Sequence, residues 1–147
     1  MLLVVAISLV ACGTAQKKTD DGVPAVVKEK FSAMYPKVST VKWDQEDNNY
    51  EAEFKSDDIE TSVLFDATGK VLETEVAVDP KTLPEATLVY CKDSLGGEKI
   101  KEAAKITDAG GVVTYEAEIG KVDYIFDANG EFVKKITDQE SDSEDQD

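Results

Sequence analysis

From residue 40 onward the chain alternates apolar and polar residues in short runs, and a period of two marks half-buried β-strands. Four such runs lie at residues 40–45, 50–55, 61–66 and 70–75, and four more at 100–107, 112–119, 121–127 and 131–136. A helical stretch precedes each set. Residues 24–35 put Val27, Phe31 and Met34 on one stripe, and residues 84–95 do the same with Thr87, Cys91 and Leu95. Pro24 and Pro84 suit the first helical position, where the missing N–H is not required. Pro36 stops the first helix and Gly96-Gly97 the second. The sequences DATG at 66–69 and DANG at 127–130 predict hairpin turns, with Asp accepting from the backbone and Gly supplying positive φ. The links between strands are too short for crossovers, so all pairing is predicted antiparallel.

The two sets are copies. Tyr50-Glu-Ala-Glu-Phe54 returns as Tyr115-Glu-Ala-Glu-Ile119, and the segment from Leu64 to Lys70 returns as Ile125 to Glu131. Ordered recurrence at an interval of about sixty residues identifies a tandem duplication. The expected organisation is a first αβ4 repeat at 23–79 and a second at 80–137.

Alternation then assigns faces. Val41, Trp43, Tyr50, Ala52, Phe54, Val63 and Phe65 point one way, as do Tyr115, Ala117, Ile119, Val122, Tyr124 and Phe126 in the second copy. This apolar face needs a lid, which the two helices supply. The predicted fold is therefore α+β, with two helices on one face of a continuous antiparallel sheet of about eight strands. Trp43, Tyr50, Tyr115 and Tyr124 fall on the covered side and are expected in the core. The opposite side carries Lys42, Asp44, Glu51 and Glu53 from the first copy, and Glu116, Glu118 and Asp123 from the second. Leu64 and Ile125 hold equivalent places among these charges.

Composition narrows the chemistry. In 147 residues there are 31 acids and 16 basic residues, all Lys, for a formal net charge of −15. The absence of His removes Ser-His-Asp and Cys-His catalysis and imidazole metal sites. An acidic chain without Arg repels nucleic acid, so no nucleic-acid partner is expected. The last ten residues, 138–147, hold six acids and no Lys, a composition that predicts a disordered acidic tail.

The N-terminal end is an address. Residues 2–11 form an apolar run about half as long as a membrane-spanning helix requires, which suits a signal-peptide core at 1–11. Leu9-Val10-Ala11-Cys12 resembles the bacterial lipobox, which implies cleavage before Cys12 and lipid on its thiol. Polar residues at 12–22 follow, as a flexible tether would. Gly13 stands where an Asp would mark inner-membrane retention, so the resemblance implies an outer-membrane lipoprotein facing the periplasm or the cell surface. With Cys12 lipidated, Cys91 has no partner for a disulfide and is expected to be a small buried hydrophobe.

The pattern VPxxVKEKFxxxYP, then VKW, YEAEF and VLFDATGKVLETE, occurring twice with a looser second copy, resembles the PepSY-like, β-lactamase-inhibitor-like family of exported bacterial proteins. The resemblance implies two αβ4 repeats with helices stacked on one face of a continuous antiparallel sheet. The family's two namesakes imply binding, with inhibition of secreted hydrolases or peptidases as the associated activity.

Candidate chemistry is sparse. Glu51 and Glu53, like Glu116 and Glu118, stand two apart on a strand, about 7 Å between side chains, inside the window for inverting glycosidases. Such enzymes need one carboxyl in an apolar pocket, which a flat, solvated sheet face does not offer, so no enzymatic activity is expected. Asp44 to Asn49 and Asp57-Asp58 offer oxygen ligands for Ca²⁺, but no Gly stands at the sixth loop position and Lys55 occupies the twelfth, so hairpin loops are expected there. No residue is assigned to catalysis or to a metal, and no cofactor is expected. What remains is a lipid-anchored, non-catalytic binding module. Its expected contact residues are Lys42, Asp44, Glu51, Glu53, Glu116, Glu118 and Asp123, with Leu64 and Ile125 as apolar anchors, and its partner a basic protein or peptide. The alternative is a divalent-cation-binding or structural envelope lipoprotein.

Overall fold

A computed structural model describes residues 22–137. The expected signal segment, most of the tether with Cys12, and the acidic tail lie outside the described residues. Helix α1 (Ala25–Met34) is followed by strands β1 (Val41–Glu46), β2 (Asn49–Ser56), β3 (Ile59–Asp66) and β4 (Val71–Ala77). A 3₁₀ turn at Pro80–Thr82 leads into α2 (Glu85–Ser94) and then β5 (Glu102–Asp108), β6 (Val113–Ile119), β7 (Val122–Asp127) and β8 (Phe132–Thr137). The eight strands form one sheet in sequence order, and every neighbouring pair is antiparallel. The predicted class, element order and continuous antiparallel sheet therefore hold, with element ends within a residue or two of the predicted ones. Pairing of β4 with β5 fuses the repeats, with Glu75 opposite Ile106 and Ala77 opposite Ala104.

Each helix covers its own half of one sheet face. Under α1, Val27 and Phe31 pack on Trp43, Ala52, Phe54, Val63 and Phe65. The Phe31 ring meets those of Trp43 and Phe54 edge-on, at 5.4 and 5.0 Å between centroids, in the arrangement that ring quadrupoles favour. Met34, expected on this stripe, is 38% exposed; Tyr35 and Val38 complete the packing beyond it. Seven residues is almost two full turns, so Met34 keeps the direction of the fully buried Val27, but it closes the last turn of the helix, where Tyr35 and Val38 pack against the core in its place. Under α2 the core is smaller-grained: Leu83, Cys91, Ala103, Ala117, Ile119 and Phe126. Cys91 is buried, as expected for a hydrophobic thiol.

The prolines sit one residue earlier than predicted. Pro24 and Pro84 are the cap residues, with extended ψ of 144° and 142°, and each carbonyl accepts from the first turn of its helix. The Asp turns form as predicted. Asp66 Oδ1 accepts from the N–H groups of Thr68 and Lys70, and Asp127 Oδ1 from those of Asn129 and Glu131. These turns also seat the helices. Gly69 (φ 83°) lies under Val26, and Gly130 (φ 85°) lies so close under Pro84 and Thr87 that a Cβ there would stand 2.7 Å from Pro84 Cβ. Thr87, fully buried, donates its hydroxyl to the Gly130 carbonyl at 3.3 Å. A polar residue thereby occupies the stripe of α2 without an unmet hydrogen bond.

Candidate acidic face

The sheet face opposite the helices gathers the candidate residues. Register places Lys42 opposite Glu53, Asp44 opposite Glu51, and Glu51 opposite Leu64. In the second repeat Glu116 faces Ile125 and Glu118 faces Asp123. All nine predicted contact residues thus share one side, which no described helix covers.

Their surroundings differ from the expectation of a flat, solvated surface. Glu51 is 2% exposed, Glu116 6% and Asp123 9%, while Leu64 and Ile125 are buried as well. Leu64, Ile106 and Ile125 make a floor rather than protruding anchors. The physical reason is curvature. Glu73 on β4 feels the charges of both Glu46 on β1 and Lys134 on β8, and Glu75 feels those of Glu51 on β2 and Asp123 on β7. Strands spaced about 4.8 Å apart bring such distant side chains within range when the twisted sheet curls about this face. Two β-bulges assist, at Leu64/Phe65 and Ile125/Phe126.

The first bulge also explains two acids that sequence reasoning missed. Counted outward from the turn, Phe65 pairs with Val71, and uninterrupted register would set Leu64 against Leu72. The bulge skips Leu72, so Leu64 faces Glu73 instead. That slip of one residue moves Glu73 and Glu75 to the acidic face. Both are buried there, at 8% and 2% exposure. The clue in the sequence is the single alternation Glu73-Thr-Glu75, which matches Glu51-Ala-Glu53.

The acids divide into a rim and a centre. Rim carboxylates pair with lysines: Glu53 with Lys42 at 2.7 Å, Glu60 with Lys55 at 3.3 Å, and Glu118 with Lys101 at 3.1 Å. Exposed pairs of this kind add little stability, about 0–1 kcal/mol, but they fix the rim side chains. At the centre, Glu51 Oε1, Glu75 Oε2 and Glu116 Oε2 are buried and accept no hydrogen bond. Their acidity shifts accordingly. Burial, and then the charge of Glu116 and its neighbours, pushes the Glu75 carboxyl up to about 9. Burial with Asp123 and Glu118 raises Glu116 to about 8. Glu51 rises to about 7 through burial and Glu46, against the pull of the Ser62 hydroxyl that it accepts. Glu73 reaches about 7 through burial, with Asp108 and Glu46 adding to the rise and Lys134 opposing it. At neutral pH the centre therefore holds protonated or half-protonated carboxyls.

An apolar environment for a carboxyl thus exists here, contrary to the expectation from sequence. A glycosidase pair needs its two carboxyls held apart in acidity, one ionised and one protonated. All four shift upward, and burial is the first cause in each. Of the oxygen-rich segments considered for Ca²⁺, Asp44 to Asn49 ends β1 and begins β2 with Asp47-Asn48 as the turn between them. Asp57 and Asp58 are the tip of the β2–β3 hairpin, both with positive φ (50° and 65°), as a two-residue hairpin requires. Among the described residues no group of three or more His, Cys, Asp or Glu is placed to hold a metal ion.

A doubled αβ4 unit with helices on one side and a bare, curled sheet on the other defines a class of small two-repeat proteins. The chain belongs to the family described as "Putative beta-lactamase-inhibitor-like, PepSY-like", whose model matches residues 14–73 and again 50–134. Solved structures share the fold. A DUF2874 family protein from Bacteroides uniformis superposes with a TM-score of 0.70 at 19% identity, covering 77% of this chain and 88% of that one. A BLIP-like protein from Bacteroides fragilis gives 0.60 at 24% identity, over 77% and 85%. A protein from Bacteroides eggerthii described as putatively periplasmic gives 0.68 at 16% identity, over 78% and 88%. No curated protein matches the chain.

Proposed function

We propose that this protein is a lipid-anchored, non-catalytic binding module of the bacterial envelope, which holds a basic protein or peptide on its acidic sheet face. One observation carries the reading: buried carboxyls, each with one oxygen that accepts no hydrogen bond, ringed by acids, on a face no described element covers. A desolvated carboxylate without a partner is costly, and a cationic partner relieves that cost. Family membership and the BLIP-like neighbour support binding as the activity. The lipobox-like Leu9 to Cys12 segment supports anchoring through lipid on Cys12, and the neighbour described as periplasmic supports an envelope location. The contact residues are Lys42, Asp44, Glu51, Glu53, Glu116, Glu118 and Asp123 over the floor of Leu64 and Ile125, with Glu73 and Glu75 added. Titration calorimetry with an oligolysine peptide, and with oligoglutamate as control, tests the reading. Binding of the basic peptide alone, weakened about tenfold or more when ionic strength rises from about 20 to 300 mM, is the expected result. Equal affinity for both peptides, or no heat from either, overturns it.

A further inference from the structure

At the seam between the repeats the acidic face opens into a cleft of about 200 Å³. Its walls carry Ala77, Pro80 and Ala104, where β4 runs into the 3₁₀ turn and where β5 begins; Val78 and Ala103 also border it, their side chains belonging to the packing under α2. Glu75 and Glu116 supply its polar end. They stand on β4 and β6, on either side of β5, and the small Ala104, paired with both Ala77 and Glu116, leaves the space between them. Each is more than nine-tenths buried, at 2% and 6% exposure, and Oε2 of each accepts no hydrogen bond. The lysine in the lining, Lys101, is held by Glu118 at 3.1 Å.

Resting on the binding reading above, we propose that this cleft is the anchor pocket for one basic side chain, a lysine or arginine displayed by the partner, whose charged head lies between Glu75 and Glu116. The dimensions select the ligand class. Pockets for drug-sized molecules run from about 300 Å³ upward, whereas this one suits a single side chain. Lysine and arginine carry an apolar stem with a cation at its tip, which matches apolar walls leading to two carboxyls. Glu60 and Glu102 line the cleft as well and attract the approaching charge.

Entry of the cation is coupled to protons. Glu75 faces Glu73 on its own strand, Glu51 on β2, Glu116 on β6 and Asp123 on β7, and each of these carboxylates favours its protonated form. Glu60, Glu102 and Lys101 complete the charged lining. The ligand arrives as an ammonium or guanidinium, a carboxyl O–H bond breaks with its proton passing to solvent, and the resulting carboxylate pairs with the cation with no covalent bond between protein and ligand. Affinity consequently rises between about pH 6 and pH 9, the range in which these carboxyls would otherwise stay protonated.

The test uses the full chain and three probes: Nα-acetyl-lysine amide, Nα-acetyl-arginine amide and, as the neutral control, Nα-acetyl-norleucine amide. Binding is followed by amide chemical shifts and by calorimetry in two buffers of different ionisation enthalpy. The expected result is perturbation at Val78, Ala103 and Ala104 by a basic probe and not by norleucine, with proton release. Glu75→Gln and Glu116→Gln, neutral mimics of the protonated carboxyls, each weaken binding at least about tenfold. Ala77→Leu, which narrows the mouth and leaves the charges in place, weakens it too. Equal perturbation by norleucine, unchanged affinity in both Gln variants, or no response at these amides overturns the proposal. If oligolysine still binds in a salt-dependent way while the cleft amides stay silent, the pocket is refuted and the acidic-face reading survives. If neither probe class binds, both fall.

Discussion

Replacing Glu51 by Gln converts the burial of one carboxyl into a measurable dependence of stability on pH. In the fold its carboxyl sits at about 7 rather than 4.5. The folded state therefore keeps a proton that the unfolded chain has already lost. Between about pH 4.5 and 7 the folded form binds more protons, so unfolding free energy falls as pH rises, and it levels off above about 7. At about 1.36 kcal/mol per pH unit, the full interval is worth about 3 kcal/mol, of which about 1 kcal/mol is already lost at pH 5. Gln is the neutral isostere, and its carbonyl oxygen still accepts from Ser62. Glu51→Gln should thus exceed wild type by about 1 kcal/mol at pH 5 and by about 3 kcal/mol at pH 8. Set against a domain stability of about 5–15 kcal/mol, that widening is easily resolved. Urea unfolding reports it through Trp43, the single tryptophan of the chain and a member of the α1 core. A gap that stays constant between the two pH values, or a variant less stable than wild type at pH 8, would refute the claim that Glu51 ionises at a cost.

Gly130→Ala should cost about 3 kcal/mol, since left-handed backbone strain adds to collision with Pro84 and Thr87; Gly111→Ala, with φ of 82° but nothing within 4 Å, should cost only about 1 kcal/mol. Thermal melts of the pair test this, and equal losses would argue against the tight seating of α2. Cys91 is buried with its thiol raised by desolvation, so in a Cys12→Ala background a chromogenic disulfide reagent should react only on unfolding; rapid reaction of the folded protein would contradict the packing of α2. Cys12→Ala expressed in a bacterial host should move from the membrane to the soluble fraction, and unchanged membrane recovery would remove the lipid anchor.

Most of the fold was legible because its signals are local. Alternation at 50–54 and 115–119, the Asp-to-Gly turns and the two helix-opening prolines each specify an element within a few residues, and the repeat makes each assignment twice. Helix packing was less legible where a residue's role depends on its neighbour: Thr87 is a polar residue at a core position because Gly130 offers a carbonyl 43 residues away. The acidic face was half visible. Its membership on β1, β2, β6 and β7 follows from period two, but the β3–β4 bulge reverses the phase on β4 and hid Glu73 and Glu75. Curvature was hidden as well. It arises from the summed twist of eight strands, so the burial of Glu51 and Glu116 could not be read from any single segment.

The duplication itself explains why the acids concentrate at the seam. Leu64 and Ile125 are equivalent, and each faces the strand that follows across a bulge; there Glu73 and Glu75 correspond to Lys134 and Ile136. Strand β8 is an edge and carries the lysine; β4 lies mid-sheet, where solvent is excluded, and carries the acids. For stability alone the acids would be better placed at the edge, where a charge remains hydrated, than at the centre, where a carboxyl loses its water. Local choices that work against stability concentrate at functional sites, and here they converge on the one place a single repeat lacks, the joint where β4 meets β5. Neither copy alone could place carboxyls on both sides of Ala104. The anchor pocket is a property of the doubled chain, and its two walls come from different repeats.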